Sequence, residues 1–96
     1  MIHHLVWFQL KEDIQDSEIE QLKSNLLEMP ALIPQIIEMA CGRDFSGRAR
    51  GFDFGLSVTF ANRNDGEIYD KHPDHQAFIA KSKHLWTDVQ ALDFEF

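Results

Sequence analysis

Seven consecutive residues, Tyr69-Asp70-Lys71-His72-Pro73-Asp74-His75, combine the chain's only tyrosine with two of its five histidines. An imidazole titrates near neutral pH, so it can take up a proton and return it within one reaction cycle. A phenol beside it can donate a hydrogen bond to a substrate carbonyl. Together these groups are equipped for proton transfer on a carbonyl compound, for instance during an aldol-type ring closure. Pro73 has a locked φ and no N–H, which suits the first position of a helix. His72 is then the expected cap residue and His75 lies in the first turn, with Phe78 and Ile79 following on the same face. His4 shares an inward face with Val6 and Phe8 in a predicted first strand and is expected to reach the same cavity from the sheet side. The expected catalytic set is therefore His75, Tyr69 and His4. Phe54, Phe78, Ile79 and Trp86 are the expected apolar lining. The competing reading is that His75 and Tyr69 only satisfy each other, or a backbone group, inside a solid core.

Other chemistry-bearing residues carry less. His72 and His75 are spaced i, i+3 with Asp70 and Asp74 nearby, a combination that can chelate. A transition-metal site needs about three or four converging ligands, and no third position is persuasive, so no metal and no other cofactor is expected. Cys41 is the single cysteine. It cannot form an intrachain disulfide and reads as a small buried side chain in a reducing compartment. A nucleophilic role would need an activating neighbour, and only Arg43 is close in sequence. Arg43, Arg48 and Arg50 concentrate positive charge in a loop, as a solvated surface or as a hold on an anion or a partner's carboxylates.

The elements that must position these groups follow from periodicity. Ile2–Leu10 alternates with period two: Ile2, His4, Val6, Phe8 and Leu10 on one side, His3, Leu5, Trp7 and Gln9 on the other. Leu5 and Trp7 make the second side apolar as well, so both faces need cover. Ser17 and Glu20 predict a capping box for an amphipathic helix carrying Ile19, Leu22, Leu26 and Met29, ended by Pro30, with Pro34 preventing a restart beyond one short turn. A second strand is expected over Gln35–Arg43, then a turn-rich connection, then a strand over Phe52–Phe60. The latter puts Phe52, Phe54, Leu56, Val58 and Phe60 on one face and small polar residues on the other. Asn62 or Asn64 can cap a helix through Ile68 and Tyr69, which restarts at Pro73. A last strand is expected over Asp88–Phe96. The order β-α-β-β-α-β is a split βαβ unit, an α+β domain with a four-stranded antiparallel sheet and helices on one face. Trp7, Leu5, Leu92 and Phe94 fall on the uncovered face, which predicts a homodimer packed sheet to sheet.

Several stretches resemble the stress-responsive A/B barrel (Dabb) family of dimeric α+β barrels. They are His4-Leu5-Val6-Trp7-Phe8, Gly42-Arg43-Asp44, Phe52-Asp53-Phe54-Gly55-Leu56, Val58-Thr59-Phe60, Tyr69-x-x-His72-Pro73-x-His75, Trp86 and Asp93-Phe94. The resemblance spans essentially the whole chain, 1–96, and implies one ferredoxin-like domain paired into a dimeric α/β barrel. It implies no single chemistry, because the family includes stress-induced proteins of unknown activity and a few enzymes. In its plant polyketide-cyclase members the acid–base histidine corresponds to His75, the hydrogen-bonding tyrosine to Tyr69 and the first-strand histidine to His4. The sequence departs from that pattern at Phe54, where the cyclase carries a pocket histidine, so the pocket is implied but not the same reaction. Monooxygenases and isomerases of the wider dimeric ferredoxin-like group share the architecture.

Composition sets the outer limits. Ninety-six residues suffice for one domain that buries roughly 60–65% of its unfolded surface. Eight phenylalanines, two tryptophans and one tyrosine are ample material for its core and an interface. With 16 acidic against 9 basic residues the net charge is −7, which disfavours nucleic acid, whose phosphates need a basic face. No stretch approaches the roughly 18 apolar residues of a membrane span, and no signal peptide is read at the N-terminus. The expectation is a cytoplasmic protein whose partners are itself and a hydrophobic or aromatic small molecule.

Overall fold

The alternating residues of Ile2–Leu10 form β1, the strand on which the rest is assembled. The structure is a computed structural model describing residues 1–96. After β1 come α1 (Asp16–Leu27), the short α2 (Met29–Leu32), β2 (Glu38–Arg43), β3 (Phe54–Phe60), α3 (Arg63–Lys71), α4 (Pro73–Ser82), a 3₁₀ turn (Lys83–Leu85) and β4 (Trp86–Glu95). The four strands make one sheet in the order β2-β3-β1-β4, with every neighbouring pair antiparallel. This is the predicted α+β, ferredoxin-like arrangement.

Several element ends differ from the expectation, each for a local reason. Helix α1 starts before Ser17, because the Glu18 carboxylate reaches back 3.1 Å to the Gln15 N–H. Asp16 and Glu18 then lie in the first turn, where the free N–H groups favour negative charge. Pro30 does not end the helical path but sits in the first turn of α2, where no N–H is required of it. Strand β2 begins at Glu38 rather than Gln35, because Ile33 and Ile36 form a buried plug closed by an Ile36 N–H to Ile33 carbonyl bond of 3.1 Å. Strand β3 begins at Phe54, the Asp53 carboxylate having turned to accept the Leu10 N–H at 2.8 Å. Strand β4 begins two residues earlier than expected, at Trp86, through a register irregularity opposite Gln9 and Leu10.

The inward residues of β1 and β3, namely Ile2, Val6, Phe8, Leu10, Phe54, Leu56, Val58 and Phe60, pack against Leu22, Leu26, Met29, Ile33, Tyr69, Phe78 and Leu85. Truncating one such side chain to Ala costs about 2–5 kcal/mol, since the cavity left behind adds to the lost transfer energy. Cys41 packs half-buried against this core with its Sγ 3.9 Å from the Lys23 carbonyl oxygen, and burial pushes its thiol pKa up. That is the setting of an inert structural cysteine.

The opposite face of the sheet has no helix on it. The register aligns Leu5 with Leu92 and His3 with Phe94, and Leu92 and Phe94 remain 52% and 41% exposed. Beside them Leu5, Trp7, Ala40, Gly55 and Ser57 outline a shallow apolar hollow. No helix is long and apolar enough to cross a membrane.

Candidate functional site

A groove of about 780 Å³ opens between α3 and β4. Its floor is Ile2, His4, Phe60, Tyr69 and Ala91; charged residues of α3 and β4 form its rim. Tyr69 is brought there by α3, which begins where the Asn62 side chain accepts the Asp65 N–H at 2.9 Å. His75 does not line the groove itself; α4, whose cap is His72, its Nδ1 accepting the Asp74 N–H at 3.1 Å, sets the His75 ring against Tyr69. The sequence offers Asn62 or Asn64 for the first cap and His72 for the second; Asn62 and His72 are the residues that cap.

The three expected catalytic residues meet. The Tyr69 and His75 rings lie 4.2 Å apart and the His4 ring stands edge-on to Tyr69 at 5.9 Å. Phe60 backs Tyr69 at 5.1 Å. Tyr69 is only 2% exposed, yet no group of the chain hydrogen-bonds its hydroxyl, which opens onto the groove.

The hydrogen bonds fix what each ring can do. His75 Nδ1 lies 3.0 Å from the Asp70 carbonyl oxygen. A carbonyl can only accept, so Nδ1 carries the proton and Nε2 keeps its lone pair. His4 Nδ1 lies 2.5 Å from Asp93 Oδ1, and an ionised carboxylate also only accepts. His4 therefore has the same tautomer, held from β4. Burial lowers the His75 pKa below its ordinary value; the Asp70 hydrogen bond and charge oppose that, and His4 and His72 reinforce it. Burial, followed by the negative charge of Asp70, drives the Tyr69 pKa well above its ordinary value. At neutral pH the pair is thus a neutral imidazole base beside a phenol that stays protonated and donates.

Phe54, Phe78, Ile79 and Trp86 lie elsewhere. Phe54 is 2% exposed and packs edge-on against Phe8 at 6.1 Å. Phe8 meets Trp86 at 4.8 Å and Trp86 meets Phe78 at 6.4 Å, while Ile79 packs on the edge of the core. These four fill the Phe8 end of the sheet; the groove is at the Ile2 end. Two contributors escaped the sequence reading: Phe60 as the groove's aromatic floor, and Asp93 as the partner of His4. Asp93 is opposite His4 in the β1–β4 register, a relation that pairing the first and last strands antiparallel would have exposed. His72 is spent on its helix cap, and no three His, Cys, Asp or Glu side chains gather as metal ligands would. Arg43 pairs with Asp16 at 3.1 Å, and Arg48 stays in the exposed loop.

Comparison with known proteins agrees with this architecture. The chain is 28% identical over 98 residues to the stress-response A/B barrel domain-containing protein DABB1 of Arabidopsis thaliana, covering 98% of this chain but 46% of that protein. It thus spans about half the length of that relative. It is 21% identical over 95 residues to olivetolic acid cyclase of Cannabis sativa, covering 97% and 94% of the two chains. Among solved structures, a dimeric ferredoxin-like protein of unknown function from Thermobifida fusca superposes with a TM-score of 0.86 at 27% identity, over 99% and 90% of the chains. Hydroxynitrile lyase of Passiflora edulis shares the fold with a TM-score of 0.88 at 20% identity, over 97% and 90%. The family model of the stress responsive A/B barrel domain matches residues 2–96, and the chain belongs to that family.

Proposed function

We propose that this protein is a homodimer joined through the open face of its sheet. Each copy binds a carbonyl-bearing small molecule in the groove between α3 and β4, and moves a proton on it without a cofactor. His75 Nε2 takes a proton from the carbon next to the carbonyl. As that carbonyl oxygen gains negative charge, the Tyr69 hydroxyl donates to it, the kind of donor that stabilises a developing oxyanion. The electron pair released at carbon attacks, or is later reprotonated, and the proton returns from the imidazolium of His75 or through His4, which Asp93 orients.

One observation carries the reading: an unpartnered phenol lies between two imidazoles with fixed tautomers, and that phenol and His4 line one groove. Similar proteins include a cyclase and a lyase, and relatives of this fold are described as dimeric. The uncovered Leu5, Trp7, Leu92 and Phe94 supply the apolar area that a dimer would bury.

Exchange of α-protons for deuterium on simple ketones such as phenylacetone and hydroxyacetone, followed by NMR in D₂O, tests the chemistry without knowledge of the natural substrate. The wild-type protein should accelerate exchange of at least one ketone over buffer, and His75→Ala should lose about 100-fold or more of that acceleration. No acceleration on any ketone, or an unaffected His75→Ala variant, would sink the proposal.

A further inference from the structure

The groove is apolar at its floor but not at its rim, and the rim is unbalanced in sign. Arg63 and Lys71 face Glu67, Asp70, Asp93 and Glu95 around it. Arg63 is already paired with Glu95 at 3.1 Å, and Asp93 is held by His4. Only Lys71 is left to set against the unpaired carboxylates of Glu67 and Asp70, both exposed on α3. An aromatic floor beneath surplus carboxylates is a surface to which an ammonium group is drawn by charge and by ring quadrupoles, while a carboxylate is repelled.

We infer that the groove selects a ligand with an apolar body and a cationic amine at the α3 rim, and discriminates against its carboxylate counterpart. This rests on the proposed ligand site and adds the substrate class, an amine-bearing carbonyl compound rather than a purely hydrophobic one. The negative charge of Asp70 reaches the reacting groups as well, raising the pKa of Tyr69 and opposing the fall at His75. The carboxylates are solvated, so each adds only a small factor, and the two together give about a fivefold preference.

Three probes of one shape separate the possibilities: 3-phenylpropan-1-ol, 3-phenylpropylamine and 3-phenylpropanoate. Each is titrated into ¹⁵N-labelled protein near pH 7.5 at low salt, with the amides of Gly66, Lys71 and Ala91 as reporters. The amine should bind about five times tighter than the propanoate. That ratio should fall below about twofold in E67Q/D70N and at 300 mM NaCl, the alcohol being unaffected. A propanoate that binds as well as the amine, or a preference that survives in E67Q/D70N, overturns this inference and leaves the ligand site standing if the alcohol still binds there. If none of the three perturbs the reporter amides, the ligand site falls and this inference with it.

Discussion

Replacing Tyr69 by Phe removes a single oxygen from the middle of the site, and the structure assigns different consequences to stability and to chemistry. The ring is held by Phe60, His75 and His4 at 5.1, 4.2 and 5.9 Å, and Phe keeps all of that packing. The hydroxyl has no partner in the chain, so no hydrogen bond is lost and no buried partner is orphaned. Such a change should alter unfolding free energy by no more than about 0.5 kcal/mol, against the ~1–3 kcal/mol expected if a buried partner were left unsatisfied. Tyr69→Ala provides the scale, costing about 3–5 kcal/mol for an emptied aromatic site. For the reaction, loss of the one donor aimed at the carbonyl oxygen should slow α-proton exchange about 10²- to 10³-fold, or ~2.7–4 kcal/mol of barrier. Urea unfolding at fixed protein concentration, followed by tryptophan fluorescence, and the exchange rate of the same sample are the two measurements. A destabilisation above about 1.5 kcal/mol would mean that the fold uses the hydroxyl. An unchanged exchange rate would mean that the reaction does not. Either result refutes the assignment of Tyr69 as a free donor.

Three further outcomes are expected. The exchange rate should rise with pH as His75 loses its proton, with a midpoint below the ordinary histidine value of 6.5; a midpoint above that value contradicts the burial argument. The same shift has a sign for folding: a depressed folded-state pKa stabilises fully above 6.5, and stability falls as pH drops from there towards the folded pKa. Asp93→Asn can offer His4 a donor and admit the other tautomer, so it should slow exchange by up to about 100-fold. Because Asp93 is 60% exposed, unfolding should change by less than about 1 kcal/mol, and an equal loss of rate and stability would refute an orienting role. Leu92→Asp places a charge in the proposed sheet-to-sheet interface and should weaken self-association by about 100-fold or more, read by light scattering at micromolar concentration; an intact dimer would show that the interface lies elsewhere.

Alternation and helical spacing are local properties, and the parts of the fold they govern were legible. Which residues of β1 and β3 face the helices was readable because Ile2, Val6, Phe8, Phe54, Leu56, Val58 and Phe60 are buried on one side. Local patterns mislead where two elements write the same pattern. Ile33 and Ile36 sit three apart in a plug, yet with Ile37 and Met39 they imitate the start of a strand. Gln15–Glu18 and Ser17–Glu20 are overlapping cap signals, and only the Gln15 N–H decides between them. The same limit explains the site. Periodicity assigns a face but not a position along it, so it identifies Phe54, Phe78 and Trp86 as facing the core between sheet and helices without showing that they pack around Phe8, away from the groove. Asp93 meets His4 from 89 residues away, through a strand pairing that nothing near either residue encodes.

The Tyr-x-x-His-Pro-x-His spacing acquires a physical reason in this geometry. In an unbroken helix the Asp70 carbonyl would receive the N–H of Asp74, and Tyr69 and His75, six residues apart, would point about 120° away from each other around the axis. Pro73 brings no N–H and ends the helix at His72. The N–H of His72 turns back to the Tyr69 carbonyl at 3.2 Å, and the N–H of Asp74 is taken by the His72 side chain. The Asp70 carbonyl is thereby left without a backbone donor. His75 Nδ1 and Gln76 Nε2 occupy it instead, at 3.0 and 2.6 Å, and the first of these bonds fixes the His75 tautomer. The break also swings α4 so that the His75 ring meets Tyr69 at 4.2 Å. The proline does not merely start a helix near a histidine: it frees the acceptor that decides which nitrogen of the histidine carries the proton.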